Sequence, residues 1–62
     1  MSIYRLYVLD DLDRIEDATE QDFPNDGAAL AEAATALREK HAVEVWRGQR
    51  LVARLGREFR IS

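Results

Sequence analysis

The stretch AVEVWRGQRLVARL, residues 42–55, constrains the fold of this chain most, because it predicts a β-hairpin with apolar side chains on both faces. Gly48 follows the first apolar segment, and glycine at the first central position is typical of a type II′ hairpin turn. Such a turn fixes which residues face each other across the two strands. The predicted pairs are Trp46 with Leu51, Val45 with Val52, Glu44 with Ala53 and Val43 with Arg54.

This register divides the hairpin into two apolar faces. The first face consists of Trp46, Leu51, Ala53 and Leu55, interrupted by Glu44. The second face consists of Val43, Val45 and Val52, flanked by Arg47, Arg50 and Arg54. Antiparallel sheets commonly bury one face and expose the other to water. One of the two faces therefore needs cover from outside the hairpin.

Two further strands are predicted in the first half of the chain. Residues 3–9, IYRLYVL, are rich in aromatic and β-branched residues and are apolar on both faces, which favours a central strand. Residues 14–22 are dominated by acids, and they follow the chain reversal predicted at Asp10-Asp11-Leu12-Asp13. We predict an edge strand there, where like charges also oppose pairing with another chain.

An alanine-rich helix is predicted over residues 26–40. Asn25 or Asp26 is the expected N-cap, after the break at Phe23-Pro24. Arg38 and Lys40 are expected in the last turn, where the helix dipole favours positive charge. The predicted apolar stripe consists of Leu30, Ala33, Ala34, Leu37 and His41.

Together these elements predict an α+β fold with the order β-β-α-β-β, a four-stranded and mainly antiparallel sheet with one helix on one face. The strands are expected at about residues 3–9, 14–22, 43–47 and 50–55, with a tail at 56–62 for which the sequence favours no conformation. One helix can cover either the valine face or the Trp46 face of the hairpin, and the sequence does not decide which. The uncovered face is expected to be an interaction surface.

Length and charge direct attention to assembly. The chain has 62 residues, which allows one domain, and it has no cysteine, so disulfides cannot support the fold. Oligomerisation is the remaining support. Residues 1–46 carry four basic and eleven acidic side chains, whereas residues 47–62 carry five arginines and one glutamate. This asymmetry favours association of complementary patches within one molecule, between two copies, or with a partner.

Several function classes are disfavoured. We predict no catalytic residue, no cofactor and no metal site, because His41 is the single histidine, no glycine-rich phosphate loop is present, and the carboxylates follow an open edge instead of a cleft. The acidic turn lacks the spacing of a calcium-binding loop. No apolar run is long enough to span a bilayer, and the first residues lack the pattern of a signal peptide, so a cytoplasmic protein is expected.

The segments YRLYVLD, the alanine-rich helix and HAVEVWRGQRLVARL together resemble a group of short uncharacterised alphaproteobacterial proteins. That group has an opening Y-R-[LF]-Y-x-L-D strand, an acidic middle, an alanine-rich helix and a closing E-[VL]-W-x-G-x-R-[LV]-[VI]-A hairpin. The resemblance extends to Leu55 and implies a small bacterial domain. It implies no activity or ligand.

We therefore predict a small non-catalytic protein-interaction module that forms a homodimer through its sheet or its edge strands. Tryptophan beside arginine is typical of an interface hot spot. The predicted interface residues are Tyr7, Trp46, Arg47, Arg50, Leu51, Arg54, Leu55 and Phe59.

Two alternatives remain from the sequence. The C-terminal arginines could bind nucleic acid, although the net charge of −3 and the acidic middle segment disfavour contact with phosphate. The acidic segment 10–26 could also serve as an adaptor or inhibitor that occupies a basic surface on a larger protein.

Overall fold

The computed structural model describes residues 2–38 and 40–56. It contains strand β1 (Ser2–Leu9), strand β2 (Ile15–Phe23), helix α1 (Asp26–Leu37), strand β3 (Ala42–Arg47) and strand β4 (Arg50–Gly56). The four strands form one sheet in the order β2-β1-β3-β4, and all neighbours are antiparallel. The predicted α+β architecture is confirmed. Residues 57–62, the greater part of the predicted tail, lie outside the described residues.

Strand β1 occupies a central position because both of its faces have apolar side chains to bury or to pair. Tyr4 and Leu6 are buried beneath α1, whereas Ile3 and Tyr7 alternate with them onto the opposite face. Strand β2 is the edge strand that the acidic pattern predicts. All of its residues except Phe23 are exposed on both faces.

The core lies between α1 and the helix-covered face of the sheet. Tyr4, Leu6, Val43 and Val45 pack there against Ala29 and Ala33, and all six side chains are buried. A helix of twelve residues is marginal by itself, so packing against the sheet supplies most of its stability. Alanine at the contact positions lets the helix axis lie close to the strands.

Helix α1 begins where the sequence predicts and ends earlier. Asn25 is the N-cap, and its side-chain oxygen accepts a hydrogen bond of 2.8 Å from the backbone N–H of Ala28. The helix ends at Leu37, and Arg38 has a positive φ of 30°, which turns the chain back toward β3. The placement of Arg38 and Lys40 in the last turn was therefore wrong.

The buried stripe of α1 also differs from the prediction. Ala29 and Ala33 are its fully buried members, whereas Ala34 is exposed and His41 lies beyond the helix. Ala29 takes the place of Ala34, so the centre of the buried face is rotated by roughly 50° toward Ala29. The partly buried members are Leu30, Ala36 and Leu37.

The hairpin turn is confirmed, but its register is only partly as predicted. Gly48 has a φ of 63° and Gln49 does not have a positive φ, which is the pattern of a type II′ turn. Trp46 pairs with Leu51 as predicted. A β-bulge then places one extra residue, Val52, in β4. The pairs beyond the bulge are Val45 with Ala53, Glu44 with Arg54 and Val43 with Leu55.

The bulge exchanges side chains between the two faces of the hairpin. Leu55 joins the valines and packs against the core with Val52, while Arg54 joins Trp46 on the opposite face beside Glu44. The predicted grouping of Leu55 with Trp46, and of Arg54 with the valines, was therefore wrong. The exchange buries an apolar side chain under the helix and gives an arginine a carboxylate partner.

Candidate interaction surface on the open sheet face

The sheet face opposite α1, which we call the open face, carries a mixed apolar and charged surface. Residues paired directly across antiparallel strands lie on the same face, so the pairing defines its rows. The first row crosses the sheet as Glu20, Arg5, Trp46 and Leu51. The second row crosses it as Ala18, Tyr7, Glu44 and Arg54. We call these eight residues the central patch.

Apolar side chains are incompletely covered on this face. Leu51 retains 44% of its exposure and Ile3, at the end of the patch, retains 60%. Trp46 and Tyr7 are half-buried. The helix that covers the other face cannot reach them, because it packs on the far side of the same strands.

Trp46 has its polar requirement met within the chain. Its indole Nε1–H donates to Oε1 of Glu44 at 3.0 Å, and Glu44 Oε2 accepts from Arg54 at 3.0 Å. Arg54 in turn donates to Asp13 at 2.8 Å. Its hydrogen bonds with Asp13 and Glu44 raise the pKa of Arg54, although partial burial opposes them. The ring of Trp46 is thereby held in place with no unpaired donor.

Arg5 is likewise held by neighbours on the same face. Its Nε donates to Glu20 Oε2 at 2.9 Å. The hydrogen bond with Tyr7 is the largest effect that raises the pKa of Arg5, and the hydrogen bond with Glu20 raises it further. The guanidinium is therefore held in place while remaining more than half exposed.

A shallow depression lies between β1 and β2 on this face. It measures about 250 Å³ and is lined by Arg5, Tyr7, Ala18, Thr19 and Glu20. Ala18 has the smallest side chain among these lining residues. The depression lies in the same rows of the sheet as Trp46 but on the other side of the boundary between β1 and β3.

The acidic turn between β1 and β2 covers one end of the open face, which the sequence did not reveal. Asp13, with a φ of 62°, contacts Arg54 at 2.8 Å and His41 Nε2 at 3.8 Å. Leu9 and Ala42 lie at this end of the face and are buried. The open face is thus closed at one end and accessible over the central patch.

The predicted interface residues fall into four places. Tyr7, Trp46, Leu51 and Arg54 lie together in the central patch. Arg47 and Arg50 lie beside the hairpin turn. Leu55 packs against the core, and Phe59 lies outside the described residues.

The sequence predicts Arg47, Arg50 and Arg54 on one face of the hairpin, but the structure places them on both faces. Arg47 lies on the helix-covered side, with Nη1 at 3.7 Å from Oδ1 of Asp26, and it is paired with Arg50 beside the turn. Arg54 lies on the open face with its two carboxylate partners. The bulge in β4 is the physical reason, because it reverses the face of every residue that follows it.

Sequence reasoning missed Arg5, Ala18 and Glu20 as members of the surface. Arg5 could have been found from the alternation of side chains along β1, which places it on the same face as Ile3 and Tyr7. Ala18 and Glu20 required the register between β1 and β2, which the acidic composition of β2 did not specify.

Within residues 2–38 and 40–56, no helix has the length and apolar character needed to cross a membrane. In the same part of the chain, no three His, Asp or Glu side chains lie close enough together to hold a metal ion. Comparison of the chain with protein-family models, with curated proteins and with solved structures returns no match.

Proposed function

We propose that this protein is a small non-catalytic interaction module that forms a homodimer through the central patch of its open face. The observation that carries the proposal is the half-buried Trp46, whose N–H is already paired with Glu44 at 3.0 Å. Covering the ring with a partner therefore removes apolar surface from water without leaving a donor unpaired.

Binding serves this patch better than catalysis does. Its charged groups are engaged in pairs: Arg5 with Glu20, and Glu44 with Trp46 and Arg54. The depression beside them is shallow and open to solvent. A general acid or base needs a shielded cleft, whereas Glu20 is more than half exposed and Glu44 is paired with Trp46 and Arg54.

The two sheet edges disfavour self-pairing, which leaves the face as the better dimer surface. Pairing β2 with a second β2 would bring acidic strands together, since Glu16, Asp17, Glu20 and Asp22 all lie in it. Pairing β4 with a second β4 would bring positive charges together, since Arg50 and Arg54 lie in that strand. Pairing β2 with β4 would satisfy charge, but it is a head-to-tail contact that does not close into a dimer.

The area of the open face sets the expected strength of the dimer. Four strands at about 4.8 Å spacing, each roughly seven residues long at about 3.3 Å per residue, give a footprint of about 19 by 23 Å. Two copies then bury roughly 900 Å² in a flat contact, which is below the range of about 1,200–2,000 Å² for a stable interface and is typical of a weak, transient one. We expect a dissociation constant in the micromolar range.

The two alternative functions, nucleic-acid binding by the arginines and an acidic adaptor or inhibitor, have less support. The arginines lie on different faces, and Arg47 and Arg54 are close to carboxylates that would compete with phosphate. For an acidic adaptor, the exposed β2 supplies charge but no partner-specific shape.

Analytical ultracentrifugation of the purified chain from roughly 1 to 200 µM tests the proposal. We expect a monomer–dimer equilibrium, and Trp46→Ala should raise its dissociation constant at least tenfold. Leu12→Ala is the matched control, because Leu12 is 66% exposed in the acidic turn, outside the central patch. A monomer throughout this range, or equal weakening by both variants, would contradict the proposal.

Nucleic-acid binding is tested on the same samples. Electrophoretic shift of single- and double-stranded oligonucleotides at low salt should show no complex. A shift that disappears on changing Arg47, Arg50 and Arg54 to Glu would favour the alternative function.

A further inference from the structure

We infer that, in the homodimer proposed above, Trp46 of each copy is inserted into the depression between Arg5, Tyr7 and Ala18 of the other copy. This inference rests on the proposed function and adds a specific arrangement to it. A side chain and a depression that accepts it are both present on the same face. A symmetric dimer uses such a pair twice.

The rows of the sheet identify the two-fold axis that brings them together. An axis in the interface plane, parallel to the strands and between β1 and β3, lays β3 of one copy over β1 of the other. Trp46 and Arg5 share a row, so Trp46 then meets the partner's Arg5 at the edge of the depression. Sheet twist, which offsets packed sheets by about 30°, leaves this neighbourhood unchanged.

Charge complementarity favours the same axis. It places Trp46 against Arg5, where a guanidinium on an indole face is favourable, and it places Glu44 against the Tyr7 hydroxyl, which can donate to it. On the outer strands, Leu51 lies against the partner's Glu20, and Arg54 lies against the partner's Ala18. No pair of like charges faces each other in this arrangement.

The alternative axis, perpendicular to the strands through the first row, is less favourable. It would place Trp46 over the second Trp46 and Arg5 over the second Arg5. Like charges would then lie opposite each other, and the two depressions would face each other unfilled. Loss of contacts around an unfilled space weakens an interface.

Thiol cross-linking tests the arrangement, because the chain has no cysteine of its own. Facing sheets pack about 10 Å apart, which is too far for a disulfide but within reach of a short bismaleimide. Leu51 faces the partner's Glu20 in the proposed dimer, whereas the two Leu51 residues are offset by three strand spacings, or about 14 Å. Glu20→Cys and Leu51→Cys proteins are mixed in equal amounts, treated with the bismaleimide, and analysed by mass spectrometry.

We expect the mixed cross-link to exceed each homotypic cross-link at least tenfold. Predominance of the Leu51→Cys homotypic cross-link, or a statistical mixture, would overturn the inserted arrangement while leaving the dimer intact. Absence of a dimer for the unmodified chain in ultracentrifugation would instead overturn the proposed function itself. The two failures are therefore distinguishable.

Filling the depression is a second test that does not depend on cysteine chemistry. Ala18→Leu should weaken the dimer at least tenfold, and it should add little to the effect of Trp46→Ala in the double variant. Gln21→Leu is the matched control, because Gln21 is an exposed residue of the same strand that pairs with Tyr4 on the opposite face and does not line the depression. Circular dichroism confirms that each variant is folded, and equal effects of the two leucines would overturn the inference.

Discussion

Tyr4 joins the helix, the sheet and the hairpin at a single side chain. It is fully buried, its ring contacts Phe23 edge to face at 5.7 Å, and its hydroxyl donates to Oδ1 of Asp26 at 2.6 Å. Arg47 lies beside the same carboxylate. A tyrosine at this place therefore satisfies a buried polar group and holds the first turn of α1 against β1.

Stability at alkaline pH should depend on Tyr4. The hydrogen bond to Asp26, and then burial, raise the pKa of Tyr4 above its ordinary value of 10.0. The folded chain thus holds this proton more tightly than the unfolded chain, and the stabilisation is complete below about pH 10 and lost as pH rises through the folded pKa. Urea midpoints from pH 8 to 11 should fall more steeply for the wild type than for Tyr4→Phe. Parallel curves would contradict this.

Asp10 organises the turn between β1 and β2 at the level of a single element. Its Oδ1 accepts the backbone N–H groups of Leu12 and Arg14, each at 2.9 Å, and its Oδ2 accepts from the Arg14 side chain. These contacts hold the turn in the conformation in which Asp13 reaches Arg54. The chain reversal that the sequence predicts at this acidic run is thus a turn ordered by side-chain hydrogen bonds.

Acid should weaken this turn with a defined sign. The backbone hydrogen bond from Arg14 is the largest effect, and it lowers the pKa of Asp10 from its ordinary 3.8, partly opposed by burial. The contribution of Asp10 is therefore present above about pH 3.8 and lost as pH falls through the folded pKa. Asp10→Asn should unfold at lower urea than the wild type at pH 7, with the difference shrinking toward pH 2. A difference that does not change with pH would contradict this.

Helix α1 offers a matched pair of substitutions at neighbouring residues. Ala33 is fully buried against the sheet, whereas Ala34 is exposed. Ala33→Leu should destabilise the fold by about 1–3 kcal/mol, since the close helix–sheet contact has no room for added methylenes. Ala34→Leu should change stability by less than about 0.5 kcal/mol. Equal unfolding free energies in urea would show that the stripe is misplaced.

At the scale of the whole molecule, the charge asymmetry of the sequence is used within one chain. The acidic first half reaches the basic hairpin through Asp13 with Arg54 and Asp26 with Arg47. Both contacts join segments that are far apart in the sequence, one on each face of the sheet. Exposed pairs of this kind contribute little each, but they position the turn and the helix on the hairpin.

Dimerisation should make thermal stability depend on concentration. When the folded dimer is populated, each tenfold rise in protein concentration should raise the unfolding midpoint by about 3–5 °C for a domain of this size. The same series for Trp46→Ala should be shallower, because its weaker dimer is populated only at the highest concentrations. A flat series for the wild type would place the dissociation constant above the concentrations used, contrary to the micromolar value expected.

The extent of successful prediction follows from the range of the interactions involved. The N-cap, predicted at Asn25 or Asp26 and found at Asn25, and the turn predicted at Gly48 both depend on a few neighbouring residues. The edge position of β2 followed from its charge. The predicted faces of the residues beyond Leu51 were wrong, because the bulge at Val52 depends on distant contacts. It places Leu55 against the core and Arg54 beside Glu44.

By itself, the sequence determined the order of the elements, the single helix and the presence of apolar side chains on two faces of one sheet. These follow from periodicity, propensity and turn chemistry, which act over a few residues. Only the tertiary structure decided that the helix covers the valine face, that Arg54 rather than Leu55 accompanies Trp46, and that Asp13 closes one end of the open face. Those outcomes depend on residues distant in sequence, where burial of apolar groups and pairing of charges must be satisfied together.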